Sequence, residues 1–287
     1  MRLAISNIAW DVAEDEAVAA LLQRYQVDAI DIAPGKYFPQ PAQATSADML
    51  RVKDWWAARS IEITGMQALM FGTTGLDVFG PPASQDAMLH HLDGVCRIGA
   101  ALGAPRIVFG SPKNRDRSAL TDAQTATVAL SFFRRLGDIA AAHGVVICLE
   151  PNPTCYGANF MTNCGDTAQV VQQIAHPAIR MQFDTGALTI NGEDPTVVLQ
   201  TSAALIGHVH ASEPKLLPLG DCGDSGTDHA AMGKTLSTYL PQHLVTVEML
   251  ATQDKPHLVA IERALQVAIR HYRQNCQNDS DLRQTIL

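Results

Sequence analysis

The chain has no apolar run of membrane length, no CxxC pair and no GxGxxG turn after its first apolar segment. Each absence excludes something. A bilayer span needs roughly 20 consecutive apolar residues, so no membrane partner is expected. A structural zinc site needs paired ligands, and the six cysteines (Cys96, Cys148, Cys155, Cys164, Cys222 and Cys276) are scattered singly. Scattered cysteines predict reduced thiols in a cytoplasmic protein. The start of the chain, which shows no signal-peptide pattern, predicts the same. Without the glycine-rich turn, a dinucleotide-binding open sheet is disfavoured. Positive charge is also scarce. Lys and Arg number 21 against 29 Asp and Glu, a formal net charge of -8. That balance argues against nucleic acid as a general partner.

What the chain does have is a rhythm. Short apolar runs rich in Ile and Val occur at residues 3–10, 28–34, 61–72 and 105–112. Four more end at Glu150, Asp184, His210 and Glu248. Between them lie helical patterns, at 14–25, 83–102, 121–144, 166–175, 195–204, 229–239 and 257–272. Thr121 is placed to cap its helix and Gly144 to stop it. Near-continuous apolar strands alternating with helices predict a parallel sheet buried on both faces. Eight such units in 287 residues predict an α/β fold, a single (β/α)8 barrel over residues 1–275, with a polar tail at 276–287.

A barrel carries its active site at the C-terminal ends of its strands. Glu150, Asp184, His210 and Glu248 all fall there. A buried charge is costly unless it is paired or bound to a cation, and four in equivalent places predict one shared site. Three carboxylates and one imidazole suit a divalent cation, manganese or magnesium first, with cobalt and zinc also admissible.

Other residues carry open alternatives. His208 shares a strand face with His210; it is either a neighbour of the site or a hydrogen-bonded core histidine. Glu213 is either a partner of His210 or a surface carboxylate. His229 is an extra metal ligand, a substrate contact or a helix-start residue. The segment GSPKNRDR brings Lys113, Arg115 and Arg117 to the barrel mouth, as a holder for phosphate or carboxylate or as a solvated basic loop. Asn7, Asp31, Tyr37 and Gln67 are read at strand ends facing the mouth, each either bonding a substrate hydroxyl or structural. Trp10, Tyr156 and Phe160 are candidates for an apolar wall, whereas Trp55 and Trp56 are read as helix packing.

These residues resemble the xylose-isomerase-like TIM-barrel superfamily, and within it the ketose 3-epimerases related to tagatose and psicose epimerase. LEPNP is similar to their fifth-strand segment, FDTG to the sixth, GHVHASE to the seventh and VEML to the eighth. The resemblance implies a metal held by Glu150, Asp184, His210 and Glu248. It implies a small-molecule, carbohydrate-like substrate, a sugar or polyol, acidic or phosphorylated in one version. The metal would stabilise an enediolate while Glu150 and Glu248 move the proton next to the carbonyl. A dehydratase of the inosose or dehydroshikimate type shares that first step. An endonuclease IV-like DNA-repair hydrolase is disfavoured, because Gln67 and Phe71 stand where early-strand histidines would be needed. His229 resembles a loop histidine of that and other branches. Two departures concern the sugar: Ala187 replaces a family His, and Glu213, Pro214, Lys215 and Leu216 replace a segment with a family Arg. Homo-oligomers are common in the superfamily, though no residue pattern here marks an interface.

Overall fold

The structure is a computed structural model, and it describes residues 1–273. The polar tail expected at 276–287 lies outside the described residues. Eight strands form the centre: β1 (Leu3–Ser6), β2 (Ala29–Ile32), β3 (Glu62–Met66), β4 (Arg106–Phe109), β5 (Val146–Leu149), β6 (Ile179–Asp184), β7 (Ile206–Ser212) and β8 (Val245–Glu248). All pair in parallel in chain order, and β8 returns to β1 through Leu3–Val245, Ala4–Thr246 and Ile5–Val247. The ring is closed, so no strand edge is left open. Every residue of β1, β2, β7 and β8 is buried. That explains the unbroken apolar runs: one face of each strand fills the barrel and the other meets helices.

The helices are α1 (Asp15–Arg24), α2 (Pro34–Tyr37), α3 (Ser46–Ala57), α4 (Pro82–Leu102), α5 (Asp122–Ala142), α6 (Cys164–Ile174), α7 (Thr185–Asn191), α8 (Pro195–Ser202), α9 (His229–Tyr239) and α10 (His257–Tyr272). Thr121 caps α5 as expected: its hydroxyl accepts from Gln124 N, and Gln124 reaches back to Thr121 N. All four early strand expectations were too long, those of β1 and β3 most visibly. The chain turns into a short helix at Asn7 instead of continuing to Trp10. Strand β3 stops at Met66, and Ala68 takes a left-handed φ of 53°.

Trp10 is fully buried, stacked edge-on against Trp56 at 6.5 Å, with its indole N–H donating to Asp15 Oδ1 at 2.8 Å. It is a packing residue between helix and barrel, not a wall of the mouth, and Trp56 plays the helix-packing role expected of it. Phe160 packs edge-on against Phe79. Of the proposed apolar wall, only Tyr156 lines the mouth. The interior has a polar layer. Asp31 is fully buried there, 2.8 Å from His208 Nε2, and it accepts from Thr246 at 2.8 Å and Thr64 at 3.0 Å. Asp31 is therefore sealed in the barrel rather than open to substrate.

Candidate metal centre

Four strands deliver the four expected ligands to one point. Glu150 is the first residue past β5, Asp184 ends β6 and Glu248 ends β8. His210 lies inside β7, two residues short of its end, which corrects its expected place at the tip. One ligand atom from each of Glu150, Asp184, His210 and Glu248 falls within 4.8 Å of every other. His210 directs Nδ1 inward, 3.1 Å from Glu248 Oε2 and 3.9 Å from both Glu150 Oε1 and Asp184 Oδ2.

Neighbouring groups position the three carboxylates. Asp184 caps α7: its Oδ1 accepts from Ala187 N at 2.6 Å, and Ser212 Oγ donates to both carboxylate oxygens. Gln67 donates to Glu248 Oε1 at 2.6 Å. Beside Glu150 the chain carries Gly110, where a Cβ would stand 1.6 Å from Glu150 Oε2. Space for that carboxylate exists because position 110 has no side chain.

The electrostatics suit a site that binds a positive charge. Burial, reinforced by the negative Glu248 and Asp184, pushes the Glu150 carboxyl up to about 8. Burial and Glu248 push Asp184 up to about 6. Burial opposes charge on His210, but Glu248, Glu150 and Asp184 outweigh it and raise the imidazole to about 9. Burial would also raise Glu248, yet His210 and Gln67 hold it below the usual carboxylate range. Three carboxylates crowded in a buried pocket repel one another unless protons or a cation intervene. The donor set, mostly hard oxygen with one imidazole, matches a divalent cation.

The other expected residues divide. Lys113 lines the cavity above the ligands. Arg115 does not belong to a solvated loop. It is 1% exposed, and its Nη2 donates to the Glu150 carbonyl at 2.8 Å and to Asn152 Oδ1 at 2.6 Å. It braces the segment that carries Glu150. Arg117 pairs with Asp122 at the surface. His208 sits against Asp31 beneath the ligands, its ring 4.9 Å from that of His210. Glu213 is neither a partner of His210 nor exposed: it is buried, 3.2 Å from His229 Nε2, and accepts from Gly220 N and Thr227 N, both at 2.8 Å. His229 starts α9 and binds Tyr272 through Nδ1 at 2.6 Å, so the helix-start reading is the one its position matches. A further group, Asp11, Glu14 and His257, is satisfied within itself: Glu14 accepts from Asp11 N at 3.0 Å and stands 2.6 Å from His257 Nδ1.

Ser212, Gln67's bond to Glu248, Gly110 and Lys215 were missed as site features. Lys215 lines the cavity in the segment that replaces one with a family Arg, on a left-handed φ of 62°. Ala187 lines it too. The cavity holds about 940 Å³.

The xylose isomerase-like TIM barrel family matches residues 19–274. No curated protein matches the sequence. Among solved structures, D-psicose 3-epimerase from Clostridium cellulolyticum H10 is similar at 16% identity and a TM-score of 0.77, over 95% of this chain and 99% of that one. The E. coli 3-keto-D-glucoside 4-epimerase YcjR is similar at 16% identity and 0.77, over 94% and 99%. The IOLI protein with a bound zinc atom is similar at 16% identity and 0.72, over 95% and 98%. At those identities the likeness establishes the fold. The closed barrel, the four clustered side chains at its C-terminal mouth and the family match over most of the chain lead to one assignment: this chain belongs to the xylose isomerase-like TIM-barrel family.

Proposed function

We propose that the protein is a metal-dependent epimerase or isomerase of a keto sugar or keto-glycoside. The observation that carries this is the convergence of Glu150, Asp184, His210 and Glu248 at the mouth of the barrel. A divalent cation held by these four, manganese or magnesium first by donor type, would supply Lewis-acid stabilisation for charge developing on a substrate oxygen. The residues themselves handle the proton. Strands β5 and β8 are separated by β6 and β7, so Glu150 and Glu248 reach the cavity from different sides. One carboxylate takes the proton from the carbon next to the carbonyl; the C–H pair becomes a C=C bond and the carbonyl π pair moves onto its oxygen. The other carboxyl returns a proton to the opposite face. Gln67 fixes the Glu248 carboxylate, and the Arg115 contact fixes the backbone of Glu150. Lys113 and Lys215 at the mouth supply cationic ends for an acidic or phosphorylated substrate. The psicose and keto-glucoside epimerases with this fold support the substrate class. The unpaired cysteines among the described residues support a cytoplasmic setting.

The test is turnover of ketoses and 3-keto-glucosides in D2O with manganese. Deuterium is expected on the carbon next to the carbonyl, with the altered stereocentre. Glu150→Gln and Glu248→Gln should each slow exchange by a factor on the order of 10² to 10⁴. Loss of water to give a conjugated, UV-absorbing product would move the assignment to a dehydratase. Normal turnover in both variants would refute the two-carboxylate reading.

A further inference from the structure

The cavity is chemically divided. Its buried part, the floor, carries the Glu150, Asp184 and Glu248 carboxylates with Gln67 and Asn152, set among Ile8, Val108 and Phe109. Its rim is apolar and open to water. Phe71 is 72% exposed and Leu250 50% exposed, and both line the same cavity, with Tyr156 and Leu216 beside them in the lining. These four come from the loops after β3, β8, β5 and β7. A phenyl ring and a leucine left in water on separate loops, facing one cavity, make a contiguous feature that scattered surface apolars do not. Lys113 and Lys215, both exposed, stand in the same mouth beside this band.

Size points the same way. A cavity of about 940 Å³ sits near the top of the range, about 300–1,000 Å³, that holds drug-sized ligands. A free monosaccharide bound at the floor fills only part of it. It also has hydroxyls on all sides, which an apolar rim leaves without partners.

Resting on the reaction proposed above, we infer that the substrate is a glycoside whose sugar sits on the carboxylate-bearing floor and whose apolar, aromatic aglycone is held by the rim around Phe71 and Leu250. The rim is continuous with the ligand floor in one cavity, and that continuity selects a substituent of the same substrate over an unrelated occupant.

The experiment compares phenyl and methyl 3-keto-β-D-glucoside on the manganese-loaded protein, by calorimetric Kd and by exchange kinetics in D2O. The phenyl glycoside should bind tenfold or more tightly, the worth of burying a ring. In the Phe71→Ser, Leu250→Ser double variant that ratio should fall towards one, with the melting temperature retained because both residues are exposed. A wild-type Kd ratio near one overturns the inference, and continued exchange on both compounds then leaves the proposed reaction standing. A ratio of ten or more with no exchange on either compound supports the subsite and rejects the reaction. A double variant that keeps the ratio but shifts sedimentation from dimer to monomer overturns the inference in favour of a second copy seated on the rim.

Discussion

Gly110 governs the site at the scale of single residues. A methyl group there would overlap Glu150 Oε2, and its φ is not in the left-handed region, so the backbone itself tolerates alanine. Gly110→Ala should therefore displace one carboxylate with the fold retained. Manganese affinity should drop by a factor on the order of ten or more, as expected when one charged ligand moves; calorimetric titration checks it, and unchanged affinity would mean that Glu150 is not a ligand. The cluster of Glu150, Asp184, His210 and Glu248 was legible in the sequence because a charge ending an apolar strand is an anomaly that needs a cause. Gly110 and Ser212 were not, since small and polar residues at strand ends are ordinary. Arg115 was misread for the same physical reason reversed: a cation in a polar loop looks solvated, and only the fold shows that it turns inward to the Glu150 carbonyl.

Among the elements, the loop between β7 and α9 is the one whose order has to be explained. It runs past the cavity with Lys215 and Leu216 both at left-handed φ, 62° and 54°. Glu213 anchors it through Gly220 and Thr227, His229 joins Glu213 to the start of α9, and Tyr272 ties His229 to the end of α10. Tyr272→Phe removes the last link and leaves a buried imidazole nitrogen without its partner. A loss of about 1–3 kcal/mol in urea unfolding is expected. Manganese affinity should be retained, because the chain of contacts does not include the four ligands; a large loss of affinity would show that the loop and the centre are coupled. The sequence signalled the strands and long helices through their apolar spacing. It gave no comparable sign of α7, a helix of seven residues that begins just after Asp184, its cap. The sequence likewise left His229 undecided, since its partners lie 16 and 43 residues away.

On the scale of the whole molecule, the crowded carboxylates make stability depend on pH and on cation. Glu150 and Asp184 have folded pKa values of about 8 and about 6, above their unfolded values, so ionising them costs folding free energy. His210, raised to about 9, contributes stability that is likewise lost as pH rises through that value. All three act in one direction. With chelator present, the melting temperature should fall as pH rises from about 5 to 9, and manganese should reverse the fall most strongly at the alkaline end. A chelated protein that grows steadily more stable over that window would contradict the charge arrangement. The ring itself has a further consequence, in time rather than energy. Glu150, Asp184 and His210 are carried by consecutive units, but Glu248 belongs to the strand that must find β1, with Val245 set beside Leu3 from the opposite end of the chain. Such distant pairing is slow to form. A chain emerging from the ribosome therefore has an incomplete cluster until its eighth strand is made, and on the proposed reading only the finished ring offers an ion all four side chains.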